Sequence, residues 1–499
     1  MTDRIDRSAL IAVIGAGTMG TGIAQVAAMA GHPVMVYDTA EGAAERAVAA
    51  IRKRVAALVE AGRLDLDPAR LRLTVAYLPQ DLALVSCAIE AVAEDLAVKQ
   101  ALFASLEAIV EPDCVLATNT SSLSPTAIAA PLDYPERLVG LHFFNPAPVM
   151  RLVEVVSGLA TSPEVAAAVT ALVQDWGKQV VQAAATPGFI VNRVARPFYG
   201  EALRLAEEQA ASPATIDAVL TQAGGFAMGP FALMDLIGQD VNEAVTRSVW
   251  AGFGYDPRFA PSPLQRALVE AGRLGRKTGQ GWYSYGEDAA PPDPDAAAVR
   301  PAPPWVLEHG ASSLRALLDR SGVQVRPGAD TTGTVELPSG ALLARCDGRP
   351  ATALAAQRGG PVVVVDRTLD DATATGIAVA ACDGCPAAAV DEAVGLLQAA
   401  GLAVYLIDDA PGLVVTRTVA MLVNGAADAR HQGVASAADI DTAMRLGTSY
   451  PLGPLAWGQR WGPAEVLAVL DAMHGWYGDD HYRASGLLRR VAVGGGSLI

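Results

Sequence analysis

"IAVIGAGTMGTGIAQVAAMAGHPVMVYD", residues 11–38, runs from an apolar strand through a glycine turn into a helix of small residues and out into a second strand. Gly15, Gly17 and Gly20 spell G-x-G-x-x-G, and Asp38 closes the second strand 18 residues after Gly20. In a chain with 48 glycines the pattern alone is weak. Set between strand and helix, with an acid at that distance, it predicts a dinucleotide-binding βαβ unit. Gly15 permits the turn, and Gly17, followed by Thr18 and Met19 at the helix start, lets backbone approach a pyrophosphate. Gly20 lets the helix pack on the strand. Asp38 would accept hydrogen bonds from ribose hydroxyls and repel a 2'-phosphate, so the expected cofactor is NAD rather than NADP.

Outward from this unit, strands are expected at 71–77, 83–92, 114–119, 137–144, 150–156 and 179–184, with helices at 39–62, 96–110 and 162–176. Such alternation implies a doubly wound, largely parallel sheet, here a Rossmann domain over 1–186. Two of those strands flank Asn145-Pro146-Ala147-Pro148 in "GLHFFNPAPVMRLVEVV", residues 140–156. A hairpin centred near Pro148 pairs His142 with Glu154. On these residues alone, the pair is either a core histidine satisfied by an acid or a general base oriented by one.

From Pro187 the pattern turns helical and stays so to residue 286, forming an all-α domain. A Pro-, Asp- and Ala-rich stretch, 287–304, reads as a linker. Beyond it, 305–408 shows strand-like runs such as "PVVVVDR" and a helix over 386–400, but no G-x-G-x-x-G of its own. It is expected to be a small degenerate Rossmann-like domain that binds no dinucleotide. The end of the chain, 409–499, repeats the middle. "TPGFIVNR" (186–193) matches "APGLVVTR" (410–417), "ASPATIDAVL" (211–220) matches "ASAADIDTAM" (435–444), and "MGP" (228–230) matches "LGP" (452–454), each at an offset of 224. A constant offset means a duplicated helical domain.

The 499 residues are 51% hydrophobic, enough for two or three globular domains with cores of their own. A net charge of −16 argues against nucleic acid or an anionic membrane as partner. Five cysteines include one "CDGC" at 382–385, too little to predict a metal site. No signal peptide and no apolar run of about 18 residues is visible, so a cytoplasmic location is expected.

Seven ordered motifs, "VIGAGTMG", "IEAVAEDLAVKQALF", "TNTSSLS", "GLHFFNPAPVMRLVEVV", "TPGFIVNR", "MGPFALMDLIG" and "GRKTGQGWYSY", span 11–285 and resemble the L-3-hydroxyacyl-CoA dehydrogenases. The resemblance is strongest to the longer bacterial 3-hydroxybutyryl-CoA or 3-hydroxyadipyl-CoA type, which carries two copies of the helical domain. It implies reversible NAD-dependent oxidation of an (S)-3-hydroxyacyl-CoA to the 3-ketoacyl-CoA, with an acyl-CoA as the ligand. The family's catalytic histidine falls on His142 and its partner acid on Glu154. Ser121 falls beside the substrate oxygen, Asn192 near substrate and histidine, Glu94 and Lys99 near the nicotinamide ribose, and Asn119 near nicotinamide and substrate. For the CoA phosphates the nearest cations are Arg52, Lys53 and Arg54, with Arg63 at the helix end; each reads equally as a solvated helix face. Ser121 and Asn192 could be caps, and Glu94 and Lys99 a solvated pair. In the shorter relatives two subunits pair through their helical domains. The duplication therefore implies a monomer with an internal pseudo-dimer, or a homodimer. Two alternatives are a β-hydroxyacid dehydrogenase acting on a free acid, which would use a lysine, and a non-catalytic descendant of the family.

Overall fold

The computed structural model describes residues 5–287, 289–290 and 293–499. Residues 1–4, within the stretch read as lacking a signal peptide, and residues 288, 291 and 292, within the 287–304 linker, lie outside the described residues. The chain forms two compact units, one running to Arg193 with Gln432–Thr448, the other Val194–His431 with Ser449–Ile499.

In the first unit the order is β1 (Ile11–Ile14), α1 (Thr18–Met29), β2 (Val34–Tyr37), α2 (Ala43–Glu60), β3 (Leu73–Val75), β4 (Cys87–Glu90), α3 (Leu96–Glu107), β5 (Val115–Thr118) and α4 (Pro125–Ala129). It continues with β6 (Leu138–Phe143), β7 (Leu152–Ser157), α5 (Pro163–Asp175) and β8 (Gln179–Ala184). The strands form one sheet, β3-β2-β1-β4-β5-β6-β7-β8, parallel except where β7 runs against β6. Both faces are covered, as a parallel sheet requires. Ile11 and Val13 point into one apolar cluster, and Ala12 and Ile14 into the other. Observed elements are shorter than the expected ones for local reasons. The helix after Asp38 begins only at Ala43, because Gly42 is left-handed (φ 72°) and Asp38 Oδ1 accepts the Ala40 N–H. The strand expected at 83–92 shrinks to 87–90, its start displaced by a 3-10 turn at Pro79–Leu82.

The second unit opens with the helical copy: α6 (Val191–Val194) leads across the boundary into α7 (Arg196–Glu207), α8 (Pro213–Gln222), α9 (Pro230–Ile237), α10 (Gln239–Gly252) and α11 (Pro263–Glu270). The small α/β part follows, with β9 (Trp305–His309), α12 (Arg315–Ser321), β10 (Gln324–Pro327), β11 (Thr334–Glu336), β12 (Leu342–Arg345), α13 (Ala351–Arg358), β13 (Val362–Val365), β14 (Gly376–Ala381), α14 (Ala387–Ala399) and β15 (Ala403–Leu406). Its sheet runs β10-β9-β11-β12-β13-β14-β15. The linker stretch is more than a tether. Ala297 N–H donates to Val404 O on β15, and Pro301 O lies against Gly395, where a Cβ would come within 2.1 Å.

The second helical copy comprises α15 (Val415–His431), α16 (Ala437–Gly447), α17 (Pro454–Trp461), α18 (Pro463–Tyr477) and α19 (Gly486–Gly494). Helices α8, α9 and α10 start 224 residues before α16, α17 and α18. The left-handed residues Phe189 and Leu413 keep the same offset, so the repeat extends to backbone conformation. α15 is buried almost all round and packs against α7 of the first copy, the cover its apolar sequence requires.

The copies also exchange elements. α16 packs on β7 and β8 within the first unit, and α8 packs on β14 within the second. Ala184 N–H donates to Val434 O, and Asp408 N–H donates to Ala210 O, each residue 224 from its counterpart. Arg193 bonds Gln432 as Arg417 bonds Glu208. Each unit therefore repeats, at an offset of 224 residues, the contacts found in the other.

Candidate active site

The β6–β7 ladder pairs His142 with Glu154, the register that symmetry about Pro148 predicts. His142 Nδ1 lies 2.6 Å from Glu154 Oε2. The other carboxylate oxygen accepts the N–H groups of Ile190 (3.1 Å) and Val191 (3.0 Å) at the start of α6. Glu154 is fully buried and His142 6% exposed, between the rings of Phe144 and Phe189. An acid anchored on one side and bonded to Nδ1 on the other fixes the ring and leaves Nε2 for proton exchange.

Ser121 and Asn192, 71 positions apart, are brought together: Asn192 Nδ2 donates to Ser121 O at 3.2 Å. Asn119 Oδ1 accepts the Phe143 N–H at 2.8 Å, tying the exit of β5 to the residue after His142. Glu94 Oε1 gathers the Thr120 hydroxyl, the Ser121 and Ser122 N–H groups and the Ser122 hydroxyl, which shapes the loop that carries Ser121. Although burial opposes it, the Thr120 hydroxyl and the Lys99 ammonium hold the Glu94 carboxyl below its ordinary range. Lys99 is not half of a solvated pair. It is fully buried, its ammonium 2.5 Å from Glu90 and 3.3 Å from Glu94. Glu90 went unnoticed in the sequence; its signal is a carboxylate ending the all-buried strand "CAIE". It also accepts the Thr118 hydroxyl and the Val92 N–H, so one buried acid ties β4, β5 and α3 together.

The glycine loop has the shape a dinucleotide needs. Gly15 takes φ 102°, and a Cβ there would lie 2.5 Å from Ala91 O; at Gly20 it would lie 1.8 Å from Gly15 O. At Gly17 nothing stands within 4 Å, so the loop is open where a pyrophosphate would approach. α1 starts at Thr18, followed by Met19, with Gly17 as its N-cap, and its free N–H groups suit an anion. Asp38 accepts the Ala16 and Ala40 N–H groups, and a carboxylate keeps further lone pairs for ribose hydroxyls.

Next to the loop lies a cleft of about 670 Å³ between Ala16–Thr18, the α2 face and Asn145–Val149. Of the four cations expected to serve CoA, Arg54 lines it, and so does Arg46, which was not among them. Arg52 instead donates to Leu73 O on β3, and Lys53 and Arg63 are exposed away from the cleft lining. Lys178 was also missed: its ammonium donates to Ala147 O and Met150 O, clamping the turn between the dyad strands, and burial lowers its pKa.

The second sheet carries the counterpart of the dyad position. Val181 pairs with Glu154, and Tyr405, 224 residues later, pairs with Ala378. Asp366, bonded through its N–H to Ala378 O at the end of the β13–β14 ladder, therefore stands where His142 stands. Its carboxylate accepts the N–H groups of Val414 and Val415, the counterparts of Ile190 and Val191, and those of Thr416. Burial pushes that carboxyl above its usual range. Histidine and glutamate are replaced there by aspartate and alanine.

Comparison with known proteins gives these features a common origin. The NAD-binding-domain model of 3-hydroxyacyl-CoA dehydrogenase matches residues 10–186, and the C-terminal-domain model matches twice, 188–285 and 412–495. Between them, 343–411 match the reduced Rossmann-fold domain of 3-hydroxybutyryl-CoA dehydrogenase. The chain is 46% identical over 488 residues to the 3-hydroxyadipyl-CoA dehydrogenase of Escherichia coli K12, covering 97% of each protein. It is 42% identical to a probable 3-hydroxybutyryl-CoA dehydrogenase of Bacillus subtilis, over 56% of this chain and 97% of that one. A crystal structure of 3-hydroxybutyryl-CoA dehydrogenase from E. coli K12 superimposes with a TM-score of 0.88 at 45% identity, covering 98% of this chain and 99% of that one. The chain belongs to the 3-hydroxyacyl-CoA dehydrogenase family and is an NAD-dependent oxidoreductase of 3-hydroxyacyl-CoA thioesters.

Proposed function

We propose that the chain interconverts (S)-3-hydroxybutyryl-CoA or 3-hydroxyadipyl-CoA and the corresponding 3-ketoacyl-CoA, using one site per chain. The observation that carries this is the 2.6 Å bond from His142 Nδ1 to a Glu154 carboxylate that is itself anchored on Ile190 and Val191. In the oxidation direction His142 Nε2 takes the hydroxyl proton, and Glu154 stabilises the imidazolium that results. NAD, when bound, would accept the hydride that leaves C3 of the substrate. Ser121 and Asn192 hold the substrate oxygen without competing as bases. Glu94 and Asn119 border the nicotinamide end, with Lys99 acting behind Glu94. Gly15, Gly17, Thr18, Met19, Gly20 and Asp38 hold the adenosine and pyrophosphate.

We assign the CoA phosphates to Arg54 and Arg46 in the cleft. The domains of this reading are 1–186, 187–286, the 287–304 connection, 305–408 and 409–499. Among the described residues no helix is long and apolar enough to cross a membrane, and soluble thioester chemistry with a net charge of −16 suits a cytoplasmic enzyme. The exchanged helices suit a chain that works as its own pseudo-dimer, alone or as a homodimer. The test is NADH consumption, followed by absorbance, with acetoacetyl-CoA, longer 3-ketoacyl-CoAs and 3-oxoadipyl-CoA. Turnover with short or dicarboxylic thioesters supports the proposal, and turnover with none of them overturns it.

A further inference from the structure

We infer that the second helical copy, which has no dyad of its own, positions the catalytic residues of the first, with Gln432 as the positioning residue. The inference rests on the proposed roles of His142, Glu154 and Asn192. Residues Gln432–Thr448 belong to the catalytic unit although they come from the second copy. Three of their contacts reach α6 and the strands on either side of Glu154. Arg193, 2% exposed and adjacent to Asn192 in α6, donates from Nη2 to Gln432 Oε1 at 2.8 Å. Val434 O accepts the Ala184 N–H at the end of β8, the strand that pairs with β7. Gly447 at the end of α16 sits so close that a Cβ would lie 2.9 Å from Leu152 and 3.0 Å from Val191, the residue whose N–H holds Glu154.

The mirror contacts do not serve a dyad. Arg417 bonds Glu208, Asp408 bonds Ala210 and α8 packs on β14, all around Asp366, where histidine and glutamate are missing. A symmetric exchange of elements therefore supports chemistry in one direction and folding alone in the other. Gln432 and Glu208 are both exposed, so each can be replaced without opening a core.

The experiment compares full-length Gln432→Ala, Gln432→Glu and Glu208→Ala in turnover of acetoacetyl-CoA with NADH, NADH affinity, thermal stability and amide hydrogen exchange. Gln432→Ala should lower kcat about five- to tenfold, as loosened positioning does, with NADH affinity unchanged. Gln432→Glu, which keeps an acceptor oxygen for Arg193, should restore kcat. Glu208→Ala should lose comparable thermal stability and keep wild-type kcat. Exchange at the Ile190 and Val191 amides should speed up in Gln432→Ala alone. Unchanged kcat in Gln432→Ala, an equal loss of kcat in Glu208→Ala, or unaltered exchange at Ile190 and Val191 would overturn the inference. A wild-type chain with no turnover would instead remove the proposed function, and the exchange comparison would still decide whether Gln432 holds the anchor.

Discussion

Asp366 faces Ala378 across the second sheet as His142 faces Glu154 across the first. One carboxylate, at the position equivalent to the histidine, caps the start of α15 as Glu154, on the partner strand of the first sheet, caps the start of α6, and no imidazole stands beside it. Asp366→Ala would leave the N–H groups of Val414, Val415 and Thr416 without this acceptor, a loss of about 3 kcal/mol or more. Thermal or denaturant unfolding should show that loss while kcat per folded chain stays at the wild-type value. A fall in kcat without a fall in stability would contradict the assignment of Asp366 as structural.

Glu154→Gln tests the orientation of the ring. With its NH₂ toward His142 the amide forces the ring proton onto Nε2, and with its NH₂ toward α6 it sets donor against the Ile190 and Val191 N–H groups and loses the anchor, so neither orientation keeps both functions of the carboxylate. Steady-state assay should show kcat reduced about 10²-fold or more, the effect expected when the tautomer is wrong. A variant with wild-type kcat would show that the carboxylate is only a core acid.

Asp38 bonds the Ala16 and Ala40 N–H groups beside the open glycine loop, where we propose that the adenosine ribose binds. NADH should be preferred to NADPH, and Asp38→Ala should narrow that preference while weakening NADH itself, because the loop loses a tie. Kinetics with both cofactors on both proteins decide it. Equal use of the two by the wild type would remove the role.

Asp217 should make stability depend on pH. It is half-buried beneath the start of α9, where desolvation pushes its pKa up to about 6 against the Phe231 and Ala232 N–H groups and the Tyr283 hydroxyl. The folded value exceeds the roughly 3.9 of an unfolded aspartate. Its contribution is therefore complete below about pH 4 and is lost as pH rises through about 6, about 3 kcal/mol in all. Melting curves from pH 4 to 8 should fall more steeply for the wild type than for Asp217→Asn over that window. Parallel curves would exclude Asp217 as the cause.

The parts of this molecule that obey a period were legible in advance. The strand–glycine–helix pattern of 11–38, the pairing of positions 142 and 154 about Pro148, and the 224-residue offset each follow from spacing alone. The missed parts depend on which way a side chain faces once tertiary neighbours are present. Arg46 and Arg54 lie two helical turns apart on one face of α2, whereas Arg52, Lys53 and Arg54, adjacent in sequence, point in different directions. Lys99 read equally as a ribose contact or as half of a solvated pair with Glu94, because its burial against Glu90, nine residues earlier, depends on how α3 packs on β4. Strands β9, β10 and β11 are three to five residues long and partly exposed, too short for an alternation to register. The equivalence of Asp366 and His142 emerges only from the ladders, since an Asp and a His share no pattern.

The most direct test is a pair of measurements on His142→Ala: turnover of acetoacetyl-CoA with NADH, and NADH binding by fluorescence. The variant should show kcat lowered about 10²-fold or more, the contribution of a general acid/base, with NADH bound as tightly as by the wild type. Near-native turnover by His142→Ala would contradict it.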